Sequence, residues 1–85
     1  MANKYKYDPL LADIGRRIIA CRTAKQMNAN ELALRADMQA TALSTIENGH
    51  RDIRISTFLK ICNALGVRYA DLLPNSDVID NLSDD

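Results

Sequence analysis

The chain has 85 residues, of which 47% are hydrophobic and 26% are charged, a composition typical of one small globular domain. No apolar run approaches the ~18 residues that a membrane helix needs, and the first residues lack the apolar stretch of a signal peptide. The net charge of zero hides a polarity: residues 1–68 carry a net charge of +5, and residues 69–85 carry −5.

Helix 1 is predicted from apolar residues that recur at helical spacing after Asp8. Asp8 is a good N-cap residue, and Pro9 suits the first helical position. We expect this helix to end near Lys25, because Asn28 begins a new element. The residues predicted to face the core are Leu10, Leu11, Ile14, Ile18 and Cys21.

Two further helices are predicted on either side of a very short turn. Asn28 and Glu31 have the spacing of a capping box, which predicts the start of helix 2. Asp37 ends that helix, because aspartate tolerates the left-handed backbone of a tight turn. Helix 3 is predicted over residues 39–47. The residues expected to face the core are Leu32, Ala33, Ala36, Met38, Leu43 and Ile46.

The last two helices complete the predicted architecture. Helix 4 is expected from Ile55 to Leu65, with Gly66 as its C-terminal cap, and residues 68–73 form one more short helix before Pro74. No alternating strand pattern occurs in the sequence. The prediction is an all-α fold, a compact bundle of five short helices that contains a helix-turn-helix. Its parts are an N-terminal arm (1–8), the helix-turn-helix domain (9–73) and an acidic C-terminal tail (74–85).

Four segments of the sequence resemble the phage-repressor helix-turn-helix family, also called lambda-repressor-like or Cro/XRE-type. They are Arg22, Asn28-Ala29-Asn30-Glu31-Leu32-Ala33, Leu43-Ser44-Thr45-Ile46-Glu47-Asn48-Gly49, and Ile61-Cys62-Asn63-Ala64-Leu65-Gly66-Val67 with Asp71-Leu72-Leu73. Asp37 replaces the usual turn glycine of the family, and Ala29 stands where many members have glutamine. The resemblance covers Ile14 to Leu73.

The resemblance implies a sequence-specific DNA-binding transcription regulator, repressor-like, in which helix 3 (about 39–47) reads the major groove. The positions that correspond to base contacts are Gln39, Ala40, Thr41, Ser44 and Thr45. Glutamine suits an adenine edge, and alanine or threonine methyl groups suit thymine. Helix 3 has no Arg or Lys, so we do not expect it to read guanine directly. The alternative is a polar helix face without a ligand.

Other residues are expected to bind the DNA backbone or to hold helix 3 in position. The backbone positions are Asn28, Asn48, Arg51 and Arg54; for the two arginines, ordinary solvated charge is the alternative. By the resemblance, Arg22 and Glu47 form a structural ion pair between helix 1 and the end of helix 3.

Catalytic chemistry has no recognisable motif in this sequence. The single histidine, His50, lies in a predicted loop, and no phosphate-binding glycine loop or nucleophile motif is present. Cys21 and Cys62 are too few for a disulfide scaffold and wrongly spaced for zinc, and core positions are expected for both. The alternative is redox sensing, which needs an exposed thiol of low pKa. We therefore expect a cytoplasmic non-enzyme without a metal, a cofactor or a small-molecule ligand.

The expected partners are double-stranded DNA and a second copy of the chain. One small module makes a small interface with DNA, so a homodimer on a two-fold site is expected. The apolar residues predicted to form the dimer contact lie in the C-terminal segment: Leu72, Leu73, Val78, Ile79 and Leu82. The alternative function is a protein-interaction or antitoxin-like module, in which the acidic tail binds a basic partner and DNA binding is secondary. The tail could also compete with DNA for the basic face.

Overall fold

The structure, a computed structural model, describes residues 8–74; for Asp8 it describes the backbone alone. Over this range the chain forms five helices: α1 (Asp8–Ala24), α2 (Ala29–Arg35), α3 (Ala40–Glu47), α4 (Ile55–Leu65) and α5 (Tyr69–Leu72). The described range contains no strand, as the sequence predicts for an all-α fold. None of its helices is long and apolar enough to span a membrane. The predicted arm and tail lie outside the described residues, apart from Asp8 and Pro74.

All five helices contribute side chains to one apolar core. Ile18 of α1, Leu32 of α2, Leu43 of α3 and Ile61 of α4 are fully buried. Burying a side chain of this size stabilises the fold by roughly 1.5–3 kcal/mol. Leu72 of α5 is also fully buried, which corrects its assignment to a dimer surface. Its aliphatic side chain fills the space between α5 and the other helices and has no surface left for a partner.

The helix termini lie close to their predicted positions. The Asn28 side chain accepts a 2.8 Å hydrogen bond from the backbone N–H of Glu31 and so caps α2. The Glu31 carboxylate bonds Arg35 at 2.7 Å, so among the described residues only one half of the predicted capping box forms. Helix α1 ends at Ala24, just before Gln26, which has a positive φ of 59°. Helix α4 keeps its predicted bounds.

The turn between α2 and α3 is the short connection that defines a helix-turn-helix. Asp37 adopts the left-handed conformation predicted for it, with φ of 58°. The next backbone N–H, that of Met38, bonds the carbonyl oxygen of Ala33 at 3.0 Å. Helix α3 begins at Ala40, one residue later than predicted, with Gln39 in extended conformation as its N-cap.

The C-terminal end of α3 approaches α1 closely because two glycines meet the opposite backbone. A Cβ atom added to Gly15 of α1 would overlap the carbonyl oxygen of Glu47 and lie 2.8 Å from that of Ile46. Gly49, just beyond α3, has φ of 74°, and a Cβ there would lie 2.8 Å from the Cα of Ala12. Any side chain at these points would push α3 away from α1.

We expect Gly15→Ala to lower the free energy of unfolding by about 1–3 kcal/mol, the usual cost of forcing extra atoms into a packed contact. Helix propensity alone predicts the opposite sign, a gain of up to about 1 kcal/mol. Urea denaturation measures the difference. Ala20→Gly, at an exposed position of the same helix, calibrates the propensity effect. A Gly15→Ala variant more stable than the parent would contradict the close contact.

Candidate nucleic-acid interface

The outer face of α3 carries small polar side chains. Gln39, Thr41, Ser44 and Thr45 are exposed, whereas Ala40 is half-buried and packs partly against the core. Leu43 and Ile46 point inward, as their spacing predicts. Four of the five predicted base-contacting residues are therefore open to solvent on one short helix, and the fifth, Ala40, is partly covered.

The Thr45 hydroxyl on this face is engaged in a hydrogen bond within α3. The Thr45 hydroxyl donates to the carbonyl oxygen of Ala42 at 2.8 Å, with that of Thr41 at 3.4 Å as a weaker second contact. Such a bond to the preceding turn is a common arrangement for threonine within a helix. Thr45 consequently has its methyl group and an oxygen lone pair available for a ligand, while its hydroxyl proton is used within the helix.

Positive charge lies beside α3 rather than on it. Arg51 and Arg54 follow α3 in the loop, both are exposed, and neither forms an ion pair within residues 8–74. With Lys60 of α4 they line a surface groove of about 230 Å³ that also includes Ala42 and Ile46 of α3 and the two acidic residues Asp37 and Asp52. Lys60 lies 4.0 Å from the Asp37 carboxylate, so the two arginines are the unpaired cations of this groove within residues 8–74. Sequence reasoning missed Lys60, because only the fold brings this part of α4 next to the loop after α3.

The two asparagines predicted to bind the DNA backbone occupy opposite ends of the helix-turn-helix. Asn28 is exposed, but its side-chain oxygen is engaged as the cap of α2, so the amide NH₂ group is what it can offer a phosphate. Asn48 is exposed directly after α3. Arg54 is the N-cap of α4 and makes no side-chain bond to that helix, which leaves its guanidinium group available.

Arg22 and Glu47 form a bidentate ion pair that is nearly buried. The guanidinium Nε and Nη2 donate to the two carboxylate oxygens at 2.7 and 3.1 Å, and Nη1 donates to the carbonyl oxygen of Met27 at 3.2 Å. The side chains are 16% and 6% exposed. The hydrogen bond to Glu47 raises the pKa of Arg22, although burial opposes the shift. One charged group thus connects α1, the residue before the N-cap of α2 and the last residue of α3.

The remaining reactive side chains form no second site within residues 8–74. Cys62 is buried, and burial raises the pKa of its thiol, which keeps it protonated. Cys21 is half-buried against the core. No cluster of potential metal ligands occurs among the described residues.

An apolar surface lies on the outer side of α4 and α5. Leu59 and Tyr69 are 39% and 59% exposed and line the same surface groove with Val67. Ile55, one turn before Leu59 on α4, is 73% exposed, and Leu73 is 40% exposed. The other residues predicted for a dimer contact, Val78, Ile79 and Leu82, lie outside the described part of the chain.

Comparisons with known proteins agree on one family. A family model described as helix-turn-helix matches residues 18–72. Control protein C.BamHI from Bacillus amyloliquefaciens is 37% identical over 60 residues, which cover 69% of this chain and 74% of that protein.

Solved structures agree with the fold. The restriction-modification controller protein C.AhdI from Aeromonas hydrophila superposes with a TM-score of 0.72 at 27% identity, covering 74% of this chain and 96% of that one. The clp gene regulator ClgR from Corynebacterium glutamicum, at 24% identity, shares the fold with a TM-score of 0.73 over 87% of this chain and 77% of its own.

Removing the arginine of the buried pair tests whether that pair holds α3. We expect Arg22→Ala to lower the free energy of unfolding by about 3 kcal/mol, because the buried Glu47 carboxylate loses its partner. Arg35→Ala is the matched control: the Arg35–Glu31 pair has the same 2.7 Å separation but is 54% and 41% exposed. Its loss should cost at most about 1 kcal/mol. Equal losses in urea denaturation would show that burial of the Arg22–Glu47 pair contributes nothing.

Proposed function

Since the chain belongs to the helix-turn-helix family of the Cro/XRE type, we propose that it is a sequence-specific DNA-binding transcription regulator. In this proposal α3 enters the major groove. The family membership confirms what the sequence motifs predict. The observation that carries this proposal is the combination at α3 of an exposed polar face and an inner side fixed on α1. A helix that reads bases has to keep its position, and the Arg22–Glu47 pair and the Gly15 contact restrict this one.

The residues divide between recognition and anchoring. Gln39, Ala40, Thr41, Ser44 and Thr45 contact base edges, with Gln39 suited to an adenine. Phosphates are bound by residues around α3: Asn28, Asn48, Arg51 and Arg54, with Lys60 added because it shares the groove with the two arginines. Contacts of this second kind set the position of the protein on the duplex and most of the salt dependence of its affinity.

The regulated genes are proposed from the relatives. C.AhdI is a restriction-modification controller protein, and C.BamHI is a control protein. The DNA upstream of restriction-modification genes is therefore the first place to look for a binding site.

The chain binds this site as a homodimer through the apolar surface of α4 and α5. A single small module buries little area on DNA, whereas two copies on a two-fold site double it. Leu59, Val67 and Tyr69 form a shared groove, and Ile55 extends the apolar surface by one turn. Leu73 adjoins α5 and remains part of the proposed contact, whereas Leu72 does not.

Selection of bound duplexes from fragmented genomic DNA tests the proposed function, with affinity measured at two salt concentrations. We expect an enriched two-fold site with half-sites ~10 base pairs apart. We also expect affinity to fall as salt rises, because phosphate contacts release counterions. No binding at low salt would instead favour the protein-interaction or antitoxin-like module.

Single substitutions locate the phosphate contacts within this assay. Arg51→Ala and Arg54→Ala should each weaken binding on all sequences and reduce the slope of log K against log salt by about 1. Arg68→Ala is the control, because Arg68 precedes α5, which packs on α1 and α4. An equal change of slope for Arg68→Ala would contradict the placement of the DNA beside the loop after α3.

A charge placed in the apolar surface tests the dimer. We expect Leu59→Asp to convert the dimer to a monomer in sedimentation velocity, because an unpaired carboxylate in an apolar contact is costly. Leu34→Asp is the matched control, since Leu34 is 80% exposed on α2 and lines a different groove, beside Met38 and Gln39. A Leu59→Asp variant that sediments as a dimer would place the contact elsewhere.

A further inference from the structure

We infer that α3 recognises thymine methyl groups in its half-site, with Thr45 and Ala40 as the contacting residues. This inference rests on the proposed function, because it requires α3 to lie in the major groove. It goes further by naming the chemical group on the DNA that specifies the site.

Helix α3 carries no positive charge. Residues 39–48 contain no Arg or Lys, and Arg51 and Arg54, which form no ion pair within residues 8–74, lie in the following loop. Guanine is most often read by a forked basic side chain that donates to its two acceptor atoms. Without such a donor, the discriminating groups left on α3 are methyl groups, one amide side chain and small hydroxyls.

Thr45 already makes a hydrogen bond within α3. Its hydroxyl proton is donated to the Ala42 carbonyl oxygen at 2.8 Å, although the side chain itself is exposed. Thymine offers the major groove an acceptor oxygen and a methyl group. A threonine whose proton is engaged does not donate to that oxygen, so its contact with thymine is methyl against methyl. The lone pair left on the Thr45 oxygen suits a base amino group, which thymine lacks.

Ala40 and Gln39, at the start of α3, favour the same base pair. Ala40 has only a methyl group to offer, and it is half-buried at the first residue of α3. Gln39, the N-cap beside it, makes no side-chain bond to the helix and is free to bond the N6 and N7 atoms of an adenine. An A·T pair satisfies both kinds of contact, because its adenine suits Gln39 and its thymine carries the methyl group.

The test replaces thymine by deoxyuridine, one position at a time, in the site enriched by selection. This substitution keeps base pairing and removes only the methyl group. Within the half-site we expect a rise in Kd of about fourfold for each contacted methyl, the effect of losing one buried methyl group. Deoxyuridine outside the half-sites should leave Kd unchanged and serves as the DNA control.

Paired protein variants identify Thr45 as the reader. Thr45→Ser removes the methyl group and keeps the hydroxyl, so it should bind more weakly and lose its sensitivity to deoxyuridine at one position. Thr45→Val keeps a methyl group and removes the hydroxyl, so it should retain that sensitivity. Thr23→Ser is the matched control: Thr23 is also exposed on a helix and donates to a preceding carbonyl, that of Ile19 at 2.6 Å, but it lies on α1.

The outcomes separate this inference from the function on which it rests. A selected site that binds specifically but tolerates deoxyuridine at every thymine would overturn the inference and leave the proposed function standing. So would a Thr45→Val variant that loses sensitivity while Thr45→Ser keeps it, because Thr45 would then act as an acceptor for a base amino group. Absence of any DNA binding at low salt would overturn both.

Discussion

The attachment of the C-terminal end of α3 to α1 is the constraint on which the rest of the structure depends. Gly15 brings the two backbones into contact, and the Arg22–Glu47 pair closes over the same junction. Buried ion pairs contribute little net stability, but an incomplete one is costly. The pair therefore acts mainly by penalising any arrangement in which α3 moves off α1. Because Arg22 also bonds the Met27 carbonyl oxygen, the start of α2 is held in the same frame.

The basic side chains lie beside α3 and the small polar side chains lie on it, so the two groups of residues have different roles. The helix itself has no basic side chain, whereas Arg51, Arg54 and Lys60 line a groove beside it, together with Asp37 and Asp52. In the proposed function, the cations supply affinity that is insensitive to sequence, and the small side chains supply discrimination. The net charge of the whole chain conceals this arrangement, because five acidic residues and no basic residue follow Arg68.

Sequence reasoning predicted the elements well where a local signal sets them. The bounds of α4, the left-handed turn at Asp37 and the inward placement of Leu43 and Ile46 follow from periodicity and backbone chemistry and need no tertiary information. The error at Leu72 has a different origin. A short apolar segment near the end of the domain has the same sequence pattern whether it packs in the core or contacts a partner. Only the packing of α5 on α1 and α4 shows that Leu72 belongs to the core. The position of Lys60 beside the loop likewise depends on tertiary contacts.

The bonding of the outer face of α3 has a consequence for how this protein can change over generations. The hydrogen bonds of Thr45 stay within α3, and neither Gln39 nor Ser44 bonds another helix through its side chain within the described range. Substitutions there cost the fold little, since exposed positions away from special contacts usually alter stability by less than about 0.5 kcal/mol. In the proposed function, mutational drift can therefore alter the recognised DNA sequence while the scaffold stays intact. Duplicated copies of such a gene could acquire different binding sites without first gaining compensating mutations in the core.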